Sequence, residues 1–243
     1  MKQKSPLVKG LSLCYSCYMS LAKRKALFLG LFSLVGFVAL QIPFTKLVGS
    51  NVSFTLFDFF GPIAGAFLGP VLGVLSVFIV EVVNMVVKQA PLTTGSLIRL
   101  FPMLFAVYYF GTFANKKNQD KRILAVPLLA IILFLIHPIG QTVWYYPLFW
   151  TIPLFAYLKR DHLLIRSLGS TFTAHAVGGA AWIWAFNLKA SVWQSLIPIV
   201  IQERLLFTLG IAASYIVMKQ VLTFLIAKKL LPSLDAINPH HAI

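Results

Sequence analysis

Few residues in this chain can do chemistry, and most of them lie inside apolar stretches. Asp58, Glu81, Glu203, Arg99, Arg204 and Lys219 are the charged residues placed within or at the edge of such runs, Lys219 at mid-to-inner depth where it snorkels. A charge at membrane depth is costly, so each is a functional candidate before it is anything else. Glu81 lies deepest, and Asn84 follows at i+3 on the same helical face. Together they read as a polar contact for a solute, or as interhelical glue. Asp58 falls either inside a short span or at its outer interface. Arg99 and Arg204 sit near outer span ends, where they snorkel or hold an anionic group. Glu203 and Arg204 are sequence neighbours that point apart on a helix and are expected to pair with other spans. A second group, Gln141, Trp144, Tyr145 and Asn187, mixes flat rings with amides. That mixture suits a flat heterocyclic ligand, although Trp and Tyr also anchor membrane interfaces.

Other chemistries are poorly supported. His137 and His175 are expected at opposite depths, so they do not make a metal pair, and no H-E-x-x-H is present. Cys14 and Cys17 supply two thiols, short of a four-ligand zinc site. G-x-S-x-G, Walker A and G-x-G-x-x-G are missing, so no hydrolase, ATPase or cofactor motif marks an enzyme. No cofactor and no metal are expected. An intramembrane enzyme would have to rest on His175, Glu203 or His137.

The elements that must position these residues are membrane helices. Hydrophobic residues make up 59% of the 243, charged residues 11%, and the mean hydropathy is +0.85. The net charge of +15 is not a nucleic-acid footprint. Fifteen of the 21 basic residues fall in four segments, 1–25, 116–122, 159–166 and 228–229, as the positive-inside rule requires of cytoplasmic loops. The fold class is an all-α integral membrane protein of the cytoplasmic (inner) membrane, a bundle of six to eight transmembrane helices. Eight are counted, at about 26–44, 54–68, 70–87, 97–114, 123–136, 142–158, 168–188 and 196–227. Both termini are then cytoplasmic. Residues 1–25 form a basic N-terminal segment, 26–230 one transmembrane domain and 231–243 a tail. The last span is too long to stand straight, so it tilts or breaks near Pro198. Residues 54–87 form two spans, or one span and a re-entrant piece.

One run organises the rest. Residues 61–76 read GPIAGAFLGPVLGVLS, with GP-x-x-G twice and glycines at Gly61, Gly65, Gly69 and Gly73. Glycines four apart make a strip that another backbone can approach closely. Two prolines forbid one long helix, so a helix ends near Leu68, the chain turns at Gly69-Pro70 and a second helix follows.

This glycine hairpin, with Glu81 eight residues beyond Gly73, resembles the second and third helices of substrate-binding S components of energy-coupling factor (ECF) transporters. Ala22-x-x-x-Ala26-x-x-x-Gly30 is similar to the small-residue stripe by which that family's first helix meets its coupling subunit. Pro198 and Glu203 enter the last span in a similar style. The resemblance covers about 26–88, with an echo at 196–227, and departs in span number, since the family usually has six. It implies capture of a vitamin-like micronutrient from outside. Uptake would be driven by a coupling transmembrane subunit and two ATPases, with Glu81, Asn84, Gln141, Trp144, Tyr145 and Asn187 as ligand contacts. A scaffold or assembly protein without a ligand, or an autonomous secondary transporter, are the competing readings. Composition and spacing do not reveal the substrate.

Overall fold

A computed structural model of the chain describes residues 20–46, 53–114 and 120–232. Cys14, Cys17 and the tail beyond 232 lie outside the described residues. The described chain is almost entirely helical. Helix α1 (Leu21–Leu40) starts at Ser20, whose hydroxyl accepts from Lys23 N. A two-stranded antiparallel hairpin follows, β1 (Pro43–Lys46) and β2 (Ser53–Thr55), at the junction of the first two expected spans. Aromatic rings explain it: Phe44 lies 4.6 Å from Phe59, and Phe54 lies 4.8 Å from Phe207, so the strands fold down onto the bundle.

Helices α2 (Phe57–Leu68) and α3 (Pro70–Val87) then form the glycine hairpin at the expected boundary. Gly69 makes the turn with φ 85°, a backbone conformation that a side chain disfavours, and Pro70 opens α3, where a missing N–H costs nothing. Helix α2 is about 18 Å long at 1.5 Å per residue, too short for a ~30 Å hydrocarbon core. Every residue from Phe60 to Leu68 is buried, so α2 is a central element wrapped by its neighbours.

Helix α4 (Thr94–Ala114) follows. A 3-10 turn at Lys121–Leu124 is capped by Asp120, whose carboxyl is held down at about 2 by hydrogen bonds from Arg122. Helix α5 (Ala125–Ile136) leads to α6 (Pro138–Thr142), a 3-10 segment at Tyr146–Thr151 and α7 (Ile152–Leu158). The expected single span at 142–158 is thus broken into short pieces, because Pro147 and Pro153 each restart the chain. Helix α8 (Leu163–Phe186) and α9 (Ala190–Ala227) complete the bundle. Pro198 does not break α9, which runs about 57 Å and must tilt to fit a bilayer. By length and composition α3, α4 and α9 can cross a membrane.

Helices α1 and α3 run parallel. Ser33 Oγ meets Ser76 Oγ at 3.1 Å, and eight residues further along both helices Gln41 Nε2 donates to Asn84 Oδ1 at 3.0 Å. Two rungs in one register require α2 to run back between them. The first core unites α1 to α4 with α9 through Phe28, Phe32, Phe60, Phe67, Phe110 and Ile211. The second gathers Phe134, Tyr146, Trp150, Phe172 and Trp193 from the α5–α7 region, α8 and α9.

The four glycines of the sequence motif do not share one job. A Cβ on Gly73 would lie 2.6 Å from Gly65 Cα, and one on Gly65 would strike Val107 O and approach Gly111 of α4. Gly65, Gly73 and Gly111 therefore bring three helix backbones into contact, the close approach small residues permit. Gly61 faces the Met103 side chain. Gly69 has open space around it and serves the turn.

Candidate functional site

Five charged side chains from four helices lie close enough to act on one another electrostatically. Asp58 is in the first turn of α2, where a carboxylate complements the helix dipole. Its Oδ2 accepts from Thr55 N at 2.8 Å and from Thr55 Oγ1 at 3.4 Å, which ties β2 to α2. Arg99 in α4 and Arg204 in α9 both act electrostatically on Asp58. Glu81 in α3 feels the charges of Asp58 and Arg99, and Glu203 those of Arg204 and Asp58.

Arg204 is the most committed member. It is buried, donating through Nη1 to Thr171 Oγ1 at 3.2 Å and through Nη2 to Glu203 Oε2 at 3.4 Å. Its guanidinium lies 4.3 Å from the centre of the Phe207 ring and 5.8 Å from that of Phe54, a cation–π setting. The expectation that Glu203 and Arg204 pair only with other spans is corrected here. Both side chains are long enough to bend together along the helix, while Arg204 also reaches α8.

Beside this group, Trp150 Nε1 donates to His175 Nδ1 at 3.0 Å, and Tyr146 Oη lies 3.2 Å from His175 Nε2. An indole N–H can only donate. Nδ1 is therefore an acceptor, the ring is neutral, and Nε2 carries its proton toward Tyr146 Oη. Trp150→Phe should cost about 1–3 kcal/mol, because it leaves buried Nδ1 without its donor; thermal unfolding of the purified variant checks this. Tyr146 and Trp150 precede His175 in the chain by 29 and 25 residues. Their union depends on the proline-broken segment, which periodicity does not show. His137 stands elsewhere, edge-on to Trp184. Among the described residues no three of His, Cys, Asp and Glu could hold a metal ion together.

The sequence-predicted ligand residues divide. Glu81 belongs to the charge cluster, and its Oε2 is buried without a hydrogen-bond partner among the described residues. Asn84 is bonded to Gln41, a partner not anticipated. Trp144 is 60% exposed and meets Tyr145 edge-on at 5.9 Å. Gln141 is exposed, and Asn187 caps α8 in the left-handed region, which asparagine tolerates. Among the described residues no hydrogen bond or ring contact joins these four to Glu81 or Asn84. Of the small-residue stripe, Ala22, Ala26 and Gly30 are all exposed on α1, and a Cβ on Gly30 would meet nothing.

Two surface grooves are lined almost wholly by apolar side chains, one of about 750 Å³ among Phe105, Leu129, Leu133 and Trp184 and one of about 560 Å³ among Val74, Phe101 and Ile123. Neither includes a member of the charge cluster.

The chain is 28% identical over 204 residues to MJ0923, an uncharacterized protein of Methanocaldococcus jannaschii; the match covers 76% of this chain and 68% of that protein. No solved structure matches it. A family model described as the substrate-specific component of ECF transporters matches residues 24–218, which contain the glycine hairpin, the charge cluster and, of the exposed stripe of α1, Ala26 and Gly30. The chain therefore belongs to the family of ECF transporter substrate-specific components.

Proposed function

We propose that this protein captures a small, vitamin-like micronutrient at the outer face of the cytoplasmic membrane. It then passes the ligand to a coupling transmembrane subunit powered by two ATPases. The observation that carries the reading is the gathering of Asp58, Glu81, Glu203 and Arg204 among apolar helices, with the exposed Arg99 acting on them from the edge. Membrane proteins keep such charges where a substrate uses them. A scaffold needs interhelical contacts, which Ser33–Ser76 and Gln41–Asn84 already supply without charge.

In this reading the membrane domain, 26–230, crosses eight times with both termini inside, the α6–α7 stretch being one irregular crossing. The parallel run of α1 and α3 supports the alternation at its start. Glu81 and Asn84 are ligand contacts. Gln141, Trp144 and Asn187, all exposed, and the half-buried Tyr145 act as outer-interface anchors. Ala22, Ala26 and Gly30 form the docking face for the coupling subunit.

A tagged chain recovered in mild detergent from its native membranes should bring with it an integral coupling subunit and P-loop ATPases, identified by mass spectrometry. Recovery alone, or with envelope-assembly factors, would count against the importer. Gly30→Leu should leave monodispersity and thermal unfolding unchanged, because nothing among the described residues opposes the new side chain. It should abolish recovery of the coupling subunit.

A further inference from the structure

The five charges of the cluster do not cancel. Three carboxylates, Asp58, Glu81 and Glu203, face two guanidiniums, Arg99 and Arg204, and the neighbouring His175 ring is neutral because its Nδ1 accepts from Trp150. The commitments are unequal. Asp58 is held by Thr55, and Arg204 is shared among Glu203, Thr171 and the Phe207 ring. Glu81 has no such arrangement. Its Oε2 is buried and has no hydrogen-bond partner among the described residues, Asp58 acts on it as a like charge, and the one cation among the described residues that acts on it is Arg99, which is exposed and also serves Asp58. An uncompensated carboxylate away from water is costly, and the charge that relieves it must come from outside the chain or from a proton.

We propose that the site takes a small organic cation, a protonated amine or an alkylated ring nitrogen, and that Glu81 is its counter-charge. The inference rests on the capture reading above and names its substrate class. An anion is disfavoured because carboxylates outnumber guanidiniums here and both terminal nitrogens of Arg204 are engaged by Thr171 and Glu203, which leaves only its Nε without a partner among the described residues. A metal ion is disfavoured because the carboxylates do not approach as a ligand set. The Gln41–Asn84 amide pair one helical turn beyond Glu81 offers hydrogen-bonding groups on the same side.

The test uses the full chain in lipid nanodiscs. Thermal unfolding is followed with a panel of protonated aromatic amines and N-methylated pyridines, each beside a neutral and a carboxylate analogue of equal size. Small molecules released from the purified chain on denaturation are identified by mass spectrometry. Cations should raise the unfolding temperature, and Glu81→Gln should weaken them by at least about tenfold, the worth of a charged hydrogen bond. Arg99→Gln should move the other way and tighten cation binding severalfold, a gain that misfolding cannot imitate.

Glutamine has the shape of a protonated glutamic acid. If Glu81 merely holds a proton, Glu81→Gln will bind the cations as wild type does, and the proposal falls. It falls too if a neutral or carboxylate analogue binds as well as its cation, or if a released compound is anionic or neutral, although ligand capture would then stand. If nothing in any charge class binds and nothing is released, capture itself is overturned. Where no panel member binds, release of an amine or quaternary nitrogen compound supports the assignment.

Discussion

Arg204→Met should unfold this protein at a markedly lower temperature, with a loss of about 3–5 kcal/mol, the scale for removing one partner of a buried ion pair. The cause is what would be left behind. Glu203 would lose its partner, Asp58 one of its two attracting guanidiniums, and Thr171 its donor, all at once. Methionine fills much of the volume, so the cost is electrostatic and not a cavity. Arg204→Lys should recover only part of it. An ammonium can reach Glu203, but it cannot keep a planar group over the Phe207 ring while donating to Thr171. Equilibrium unfolding in detergent, read by tryptophan fluorescence, measures both. A loss below about 1 kcal/mol would mean that Arg204 behaves as a surface ion pair.

Gly65→Ala should be comparably damaging, by about 3 kcal/mol, the upper part of the usual range for overpacking. A Cβ there would collide with the Val107 carbonyl and approach the Gly111 backbone, and backbone cannot swing aside as a side chain can. Gly73→Ala should behave alike, since its Cβ would meet Gly65 itself at 2.6 Å. Gly69→Ala is a contrast inside the same motif. Its neighbourhood is open, so the cost is only that of holding an L-residue at φ 85°, roughly 1–2 kcal/mol. The graded order Gly65 and Gly73 above Gly69 would fail if all three variants unfolded together.

That order bears on how much a sequence can say. The doublet of GP-x-x-G located the α2–α3 turn to the residue, because Pro70 and Gly69 restrict the local backbone whatever surrounds them. Spacing could not separate the turn glycine from the packing glycines, since that depends on Gly111 arriving forty-six residues after Gly65. Likewise, the composition and the glycine, acidic and small-residue motifs were enough to point to the family. The broken course of 142–158, the β1–β2 hairpin and the unbroken α9 were not legible. A proline marks where a helix is weakened, and tertiary packing decides whether it breaks.

The site divides in the same way. Asp58, Glu81, Arg99, Glu203 and Arg204 stood out by type alone, because bilayer burial of charge is costly wherever it occurs. Their assembly, the Glu203–Arg204 contact, the Gln41–Asn84 rung and the Trp150–His175–Tyr146 chain depend on residues 25 to 43 positions apart or on side-chain bending. By itself the sequence determined which groups had to be justified inside the membrane, a matter of solvation that each residue carries with it. The tertiary structure alone decided which of them compensate one another and leave Glu81 Oε2 without a hydrogen-bond partner among the described residues, because electrostatic compensation is a property of distances between segments that the order of residues does not contain.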